Sequence, residues 1–128
     1  HGKLNYPAEL GLSWVLPRLT GITHAADILL SCRVFLAEEA IQMGLLNKVL
    51  PAAELLGYVR DYAAMLVEKN SPGALRMTKN QLYADQHRAV NAAVNEAERL
   101  LNASVDHPDS REGIKAWLEK RPARWQGG

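Results

Sequence analysis

The chain has 128 residues, the size of one ordinary domain, and 48% of them are hydrophobic, which is enough to bury one core. Its 15 lysines and arginines nearly balance its 14 aspartates and glutamates, which argues against a basic surface for nucleic acid and against a polybasic membrane anchor. Cys32 is the single cysteine, so an intramolecular disulfide and a Cys-x-x-Cys pair are excluded, and the composition suits a reducing cytoplasm.

The first part of the chain predicts short helices and one extended segment. Thr23 can cap a short helix through Leu30, because its hydroxyl can accept a hydrogen bond from a free first-turn amide. A second short helix is predicted from about Ala37 to Met43. The apolar segment Leu45 to Leu50 is stopped by Pro51 and reads as extended. It is either one short strand that pairs with something outside this chain, or a connector.

The rest of the chain shows helical periodicity. One apolar stripe begins at Leu55, and a second runs from Val90 to Leu101, both with steps of three and four residues. Between them, Ser71 followed by Pro72 is a strong helix start, because serine supplies a cap and proline sits where no amide is needed. That helix is expected to run to about Ala84.

A final helix is predicted to start at Asp109, with Glu112 three residues later as the partner in a capping box. Pro122 and the terminal pair Gly127-Gly128 predict a frayed tail. The fold is therefore expected to be mainly α, with five to seven helices and at most one short strand. No stretch has the length of a membrane span, so we expect no membrane partner.

Several familiar catalytic patterns are missing from the sequence. The four histidines, His1, His24, His87 and His107, lack metal-ligand spacing, so no metal site is expected. Ser13 does not lie in a Gly-x-Ser-x-Gly elbow, which argues against a hydrolase nucleophile.

Four blocks of sequence stand in one order and cover nearly the whole chain. They are Gly11-x-Ser13-Trp14-x-Leu16-Pro17-Arg18-Leu19-x-Gly21; Leu29-Leu30-x-x-Arg33-x-Phe35-x-Ala37-Glu38-Glu39-Ala40 with Gly44-Leu45-x-Asn47-x-Val49-x-Pro51; Ser71-Pro72-x-Ala74 with Thr78-Lys79 and Leu82; and Asp109-x-x-Glu112-Gly113 with Glu119-Lys120-Arg121-Pro122. Together they resemble the enoyl-CoA hydratase/isomerase (crotonase) family. Leu36 departs from the pattern, since the family usually has a Ser or Thr cap there.

The resemblance implies a fold and a division of the chain. Family members are much longer, and this chain resembles their C-terminal half. The expected fold is the mainly α, helical C-terminal part of a crotonase-like (ClpP/crotonase) α/β fold. Residues 1–50 would be the last part of the core, with helices and a short strand. Residues 51–128 would be the helical C-terminal trimerisation domain.

The resemblance also implies a function. The parent enzyme would hydrate enoyl-CoA thioesters, or move their double bond, through a stabilised thioester enolate. Its partner would be an acyl-CoA substrate, with CoA as part of the substrate and no separate cofactor. It would be a cytoplasmic homo-oligomer, a trimer or hexamer. The isolated chain would be inactive, because the oxyanion hole lies in the preceding half. The alternative is a helical oligomerisation module with no catalysis of its own.

Glu9 is the catalytic candidate that the resemblance points to. Related isomerases carry at this place an acidic residue that shuttles protons, and partial burial beside Leu10 and Leu12 would suit that role. The alternative is a solvated acid in the first turn of the following helix, stabilising its N-terminus. The sequence leaves both open.

Trp117 and Lys120 are the candidates for binding CoA. In the family, an aromatic residue and a lysine at these places approach the adenine and a phosphate, often of a neighbouring subunit. Stacking and a point charge suit those groups. The alternative is that Trp117 packs the helix and Lys120 is a solvated charge.

Overall fold

A computed structural model describes residues 2–127 and contains, in that range, six α-helices and no β-strand. The helices are α1 (Leu12–Ser31), α2 (Ala37–Gln42), α3 (Ala52–Lys69), α4 (Pro72–Ala84), α5 (Val90–Ser104) and α6 (Pro108–Leu118), with short 3-10 helices at Gly2–Leu4 and Asp85–His87. The mainly α prediction is confirmed. Leu45 to Leu50 is a connector rather than a strand.

The chain divides into two units, one up to Leu55 and one from Leu56 onward. No helix in the described residues is both long and apolar enough to cross a bilayer. The assignment of residues 1–50 to a catalytic core and of residues 51–128 to a trimerisation domain stays a prediction.

Helix α1 consists of two helical segments joined at a kink. Gly21 has φ 77° and ψ 160°, a conformation open almost only to glycine. Thr20, just before it, donates its hydroxyl hydrogen bond to the carbonyl of Leu16 at 3.0 Å. The second segment follows directly after Gly21, so Thr23 lies in its first turn and is not its cap. That prediction was wrong because the break is made by backbone conformation rather than by a side chain.

The turn that follows α2 comes close to the backbone of α1. Ala40 and Met43 are buried in the first unit, as is Leu16 of α1. Gly44 has φ 77°, and a Cβ there would stand 3.3 Å from the Leu19 carbonyl oxygen. Leu36 occupies the N-cap of α2 without a side-chain cap bond, as its departure from the family pattern predicts.

Helix α6 begins differently from the prediction. His107 is the N-cap, with its Nδ1 accepting from the Asp109 amide at 3.1 Å, and Pro108 fills the first helical position. Asp109 is one residue further in and only 2% exposed. Glu112 does not reach back to the cap but pairs with Arg121 at 2.6 and 3.1 Å. The predicted capping box is therefore wrong.

The described part of the tail after α6 is held against the second unit by hydrogen bonds and is not frayed. Two carboxylates of α6 hold its backbone: Glu112 accepts from the Arg124 amide at 2.8 Å, and Asp109 accepts from the Gln126 amide at 2.7 Å. The indole Nε1 of Trp125 donates to the Glu68 carbonyl at 3.2 Å. We call residues 121–126 the strap. Of the predicted frayed end, Gly128 lies outside the described residues.

Both units leave large apolar side chains uncovered. In the first unit Leu10, Leu30 and Val34 are each at least 84% exposed. In the second, Val90 is 80% exposed, and no residue of α3, α4 or α5 is buried. Apolar stripes of amphipathic helices normally face a core. These faces therefore lack the surface that would cover them.

Candidate functional site

Glu9 lies in the turn that leads into α1. It is exposed, and its carbonyl accepts from the Leu12 amide at 3.0 Å. Leu10 is fully exposed, so this chain does not supply the apolar surroundings that suit a proton shuttle. Glu9 also precedes the N-cap residue Gly11, and the first turn of α1 holds no acid, so the first-turn alternative does not describe its position either. The catalytic assignment stays a prediction.

The first turns of α1 carry an aromatic–cation pair, Trp14 and Arg18. The Arg18 guanidinium lies 3.9 Å from the ring centroid of Trp14 and donates to the Trp14 carbonyl at 2.8 Å. The indole is therefore held in place although it is 42% exposed. This gives the exposed start of α1 one ordered ring.

Trp117 and Lys120 border the same shallow cavity at the end of α6. The cavity has a volume of about 520 Å³, and Arg121 also lines it. Trp117 is 78% exposed, so it does not pack the helix within this chain. Lys120 has φ 52° and closes the helix by donating from its amide to the Trp117 carbonyl at 3.2 Å, while the Arg121 amide reaches the Ala116 carbonyl at 3.1 Å. This is a Schellman ending with lysine in the left-handed position.

The geometry therefore brings together the two residues predicted to bind CoA. A ring face beside a flexible cation suits a planar base and an anionic group. Glu9 belongs to the first unit, whereas Trp117 and Lys120 belong to the second. Whether any of the three meets a substrate stays a prediction.

Sequence reasoning missed an ion-pair cluster in the first unit. The Arg33 guanidinium donates to Asp27 at 2.7 and 3.0 Å and also pairs with both carboxylate oxygens of Glu39. These hydrogen bonds lower the pKa of Glu39 and raise that of Arg33. The cluster ties the end of α1 to α2. Its signal in the sequence is an arginine with an acid six residues away on each side.

A second feature that sequence reasoning missed is the ion pair between Glu112 of α6 and Arg121 of the strap. The Arg121 guanidinium, and after it the Arg124 amide, stabilise the Glu112 carboxylate and lower its pKa to about 2. Arg121 also donates to Glu119 at 2.6 Å. Glu112 therefore anchors the strap as an anion over the whole range of ordinary pH.

The strap also builds one wall of a cavity of about 500 Å³ in the second unit. Trp125 and Ile114 line it on one side, and Met77 and Ala103 belong to α4 and α5. Within residues 2–127, no group of three His, Cys, Asp or Glu side chains is arranged to hold a metal ion.

Comparison with known sequences identifies relatives of nearly the whole chain. The sequence model of the enoyl-CoA hydratase/isomerase family matches residues 3–128. A Thermus thermophilus protein with a provisional assignment as an enoyl-CoA hydratase is 37% identical over 124 residues, covering 96% of this chain and 48% of that protein. A crotonyl-CoA hydratase of Syntrophomonas wolfei is 32% identical over 110 residues, covering 86% of this chain and 42% of that protein.

Solved structures agree with these sequence matches. A Mycobacterium abscessus protein, provisionally an enoyl-CoA hydratase/isomerase, superposes with a TM-score of 0.94 at 28% identity, covering 99% of this chain and 52% of that one. An enoyl-CoA hydratase structure from Geobacillus kaustophilus gives a TM-score of 0.90 at 30% identity, covering 99% and 48%. The chain thus spans about half the length of the relatives it matches, and it belongs to the enoyl-CoA hydratase/isomerase family.

Proposed function

We propose that this chain is the C-terminal half of an acyl-CoA enzyme that hydrates enoyl-CoA thioesters or moves their double bond. The observation that carries the proposal is the family match over residues 3–128. The high superposition with hydratase structures of about twice the length supports it. In the parent, backbone amides of the preceding half would stabilise the thioester enolate, and such donors contribute about 3 to 4 kcal/mol each.

Within that parent, Glu9 would move a proton, and Trp117 with Lys120 would hold the CoA moiety. The exposure of Glu9 and Leu10 in this chain leaves room for the other half to enclose the acid. Enclosure by apolar surface is how carboxyl groups are prepared for general acid–base catalysis. The shared cavity of Trp117 and Lys120 supports their joint role. We also propose that the parent acts in the cytoplasm and needs no separate cofactor.

In the parent, Glu9→Gln is expected to lower the isomerisation rate by about a hundredfold to ten-thousandfold, because it removes the proton and keeps the shape. The binding of an acyl-CoA should change little. Steady-state kinetics on a short enoyl-CoA would measure both. Glu98→Gln, an exposed acid on α5, is the matched control and should leave the rate unchanged. An unaltered rate in Glu9→Gln would make Glu9 structural.

The isolated chain is expected to show negligible hydratase activity, because the amides of the oxyanion hole would lie in the missing half. Loss of absorbance at the conjugated thioester band of crotonyl-CoA would follow the reaction. Turnover approaching about 10 per second, an ordinary enzyme rate, would contradict the placing of the machinery outside this chain.

A second function, that of a helical oligomerisation module, is favoured by one observation. The uncovered apolar faces of α3, α4 and α5 offer surface for association with further copies. Association into a trimer or hexamer would be compatible with the enzymatic role.

A further inference from the structure

Trp125 of the strap lines a cavity with the size of a ligand site. The proposed acyl-CoA chemistry does not use this cavity. Its volume of about 500 Å³ lies within the range usual for small-molecule sites. It is formed within the second unit by the end of α3, by α4, α5 and α6, and by Trp125. It does not include Trp117 or Lys120, which line a separate cavity.

The wall formed by Trp125 is held rigidly. The indole Nε1 donates to the Glu68 carbonyl, and the far edge of the ring lies close to Gly113, where a Cβ would stand 3.4 Å from two ring carbons. The neighbours of Trp125 on both sides are fastened through their amides to Glu112 and Asp109. A wall held by three hydrogen bonds does not have to be ordered at the moment of binding, which lowers the entropic cost.

The remaining lining includes apolar and cationic side chains. Met77, Ala103 and Ile114 supply apolar surface. Lys69 and Arg76 supply two positive charges. Three serines line the cavity, and the hydroxyls of Ser104 and Ser110 already donate to the carbonyls of Leu100 and Ser104, whereas the Ser71 hydroxyl accepts from the Ala74 amide.

One acid also lines the cavity. Asp109 carries the opposite charge to Lys69 and Arg76. It is only 2% exposed, and its Oδ1 accepts a hydrogen bond from the Gln126 amide. Its Oδ2 is buried without a hydrogen-bond partner among the described residues. A carboxylate this deeply covered presents almost no surface to a ligand, whereas the Lys69 and Arg76 side chains are exposed.

We propose that this cavity binds a small amphipathic anion, with its apolar body against Trp125, Met77 and Ile114 and its carboxylate toward Lys69. The apolar body gains from leaving water, and the cation selects the charge. This inference does not rest on the proposed function, because it concerns a cavity inside the second unit alone.

The test uses three probes with one apolar body: hexanoate, hexanol and hexylamine. The 128-residue chain is labelled with ¹⁵N, and the indole N–H signals of its three tryptophans are followed by NMR. Trp125→Phe assigns its signal, and Trp14 and Trp117 serve as internal controls because neither lines the cavity. Hexanoate is expected to shift the Trp125 signal saturably and to bind about two- to fivefold more tightly than hexanol, because an ion pair with an exposed cation contributes only modestly.

Two variants locate the binding. Ala103→Phe should fill the cavity and abolish the shift with every probe. Lys69→Gln should weaken hexanoate and leave hexanol unchanged, while Lys79→Gln, a lysine of α4 outside the lining, should alter neither. The proposal is overturned if no probe gives a saturable shift or if hexylamine binds best, which would assign the site to cations through Asp109. Equal binding of hexanol and hexanoate, or binding that persists in Ala103→Phe, would overturn it as well.

Discussion

At the scale of single residues, four described non-glycine residues have a positive φ, and two of them lie at or beside candidate site residues. Leu10 beside Glu9 has φ 53°, and Lys120 has φ 52°. A left-handed conformation costs a residue with a side chain about 1 to 2 kcal/mol. At Lys120 the cost is offset by the two hydrogen bonds that close α6, and the result is a lysine turned onto the cavity that Trp117 borders. Such strain is found where an orientation matters.

A substitution at Gly21 would measure the free-energy cost of an unfavourable backbone conformation without a steric clash. A Cβ at this position would have no heavy atom within 4 Å, so Gly21→Ala adds no clash and only forces an unfavourable φ and ψ. The variant is expected to lose about 1 to 3 kcal/mol of stability. Urea denaturation followed by circular dichroism, at one fixed protein concentration, would measure it.

Gly57→Ala is the matched control for this prediction. Gly57 lies within α3, and a Cβ there would also have no heavy atom within 4 Å. This change should stabilise the chain by about 0.5 to 1 kcal/mol, because alanine is the better helix former. Equal effects of the two substitutions would show that the kink at Gly21 is not a fixed part of the fold.

At the scale of elements, features that depend on neighbours a few residues away could be predicted from the sequence, and features that depend on distant residues could not. The start of α4 was predicted correctly because the Ser71 hydroxyl accepts from the Ala74 amide three residues on. The start of α6 was missed although Pro108 gave the same signal, because histidine is not a usual cap. The docked tail could not be predicted, since Trp125 meets Glu68 across 57 residues. The exposure of Leu10 beside Glu9 could not be predicted either, since its sequence pattern suggested partial burial.

The strap should make stability depend on pH through Glu112. Its pKa is about 2 in the folded chain and 4.5 in the unfolded one, so the folded state favours the charged form. Its contribution to stability is therefore complete above about pH 5 and is lost as the pH falls toward 2. Urea midpoints measured at neutral and at acidic pH should fall less in Glu112→Gln than in the wild-type chain.

The control for this prediction is Glu98→Gln, which changes an exposed acid on α5 far from the strap in sequence. It should keep the wild-type dependence on pH. If Glu112→Gln and the wild-type chain lost stability in parallel between neutral and acidic pH, the ion pair with Arg121 would not form in solution.

At the scale of the whole molecule, the chain has more apolar surface than it can cover. Few apolar side chains of the described residues are buried: Leu16, Ala25, Ala40, Met43 and Ala116. The amphipathic helices were predicted from their periodicity, and their apolar faces exist, but most of these faces meet solvent. The chain spans about half the length of its relatives, and the part of the family fold that it does not span would offer a surface against which such faces could pack.

We therefore expect the isolated chain to self-associate into a closed assembly. The resemblance to the family implies a trimer or a multiple of one. Burial of the uncovered faces supplies the driving force. Light scattering during gel filtration at micromolar concentration would give the mass. A monomer that binds little of a dye for apolar surfaces would contradict the expectation and would show that the two units suffice by themselves.

The hydrogen bond between Trp125 and Glu68 also has a consequence for the timing of synthesis. The two residues are 57 positions apart, and ribosomes add about 5 to 20 residues per second, so Glu68 precedes its partner by about 3 to 11 seconds. During that interval α3, α4, α5 and α6 can form while the wall of the cavity is absent. The wall formed by Trp125 can therefore close only after the helices that it meets have been synthesised.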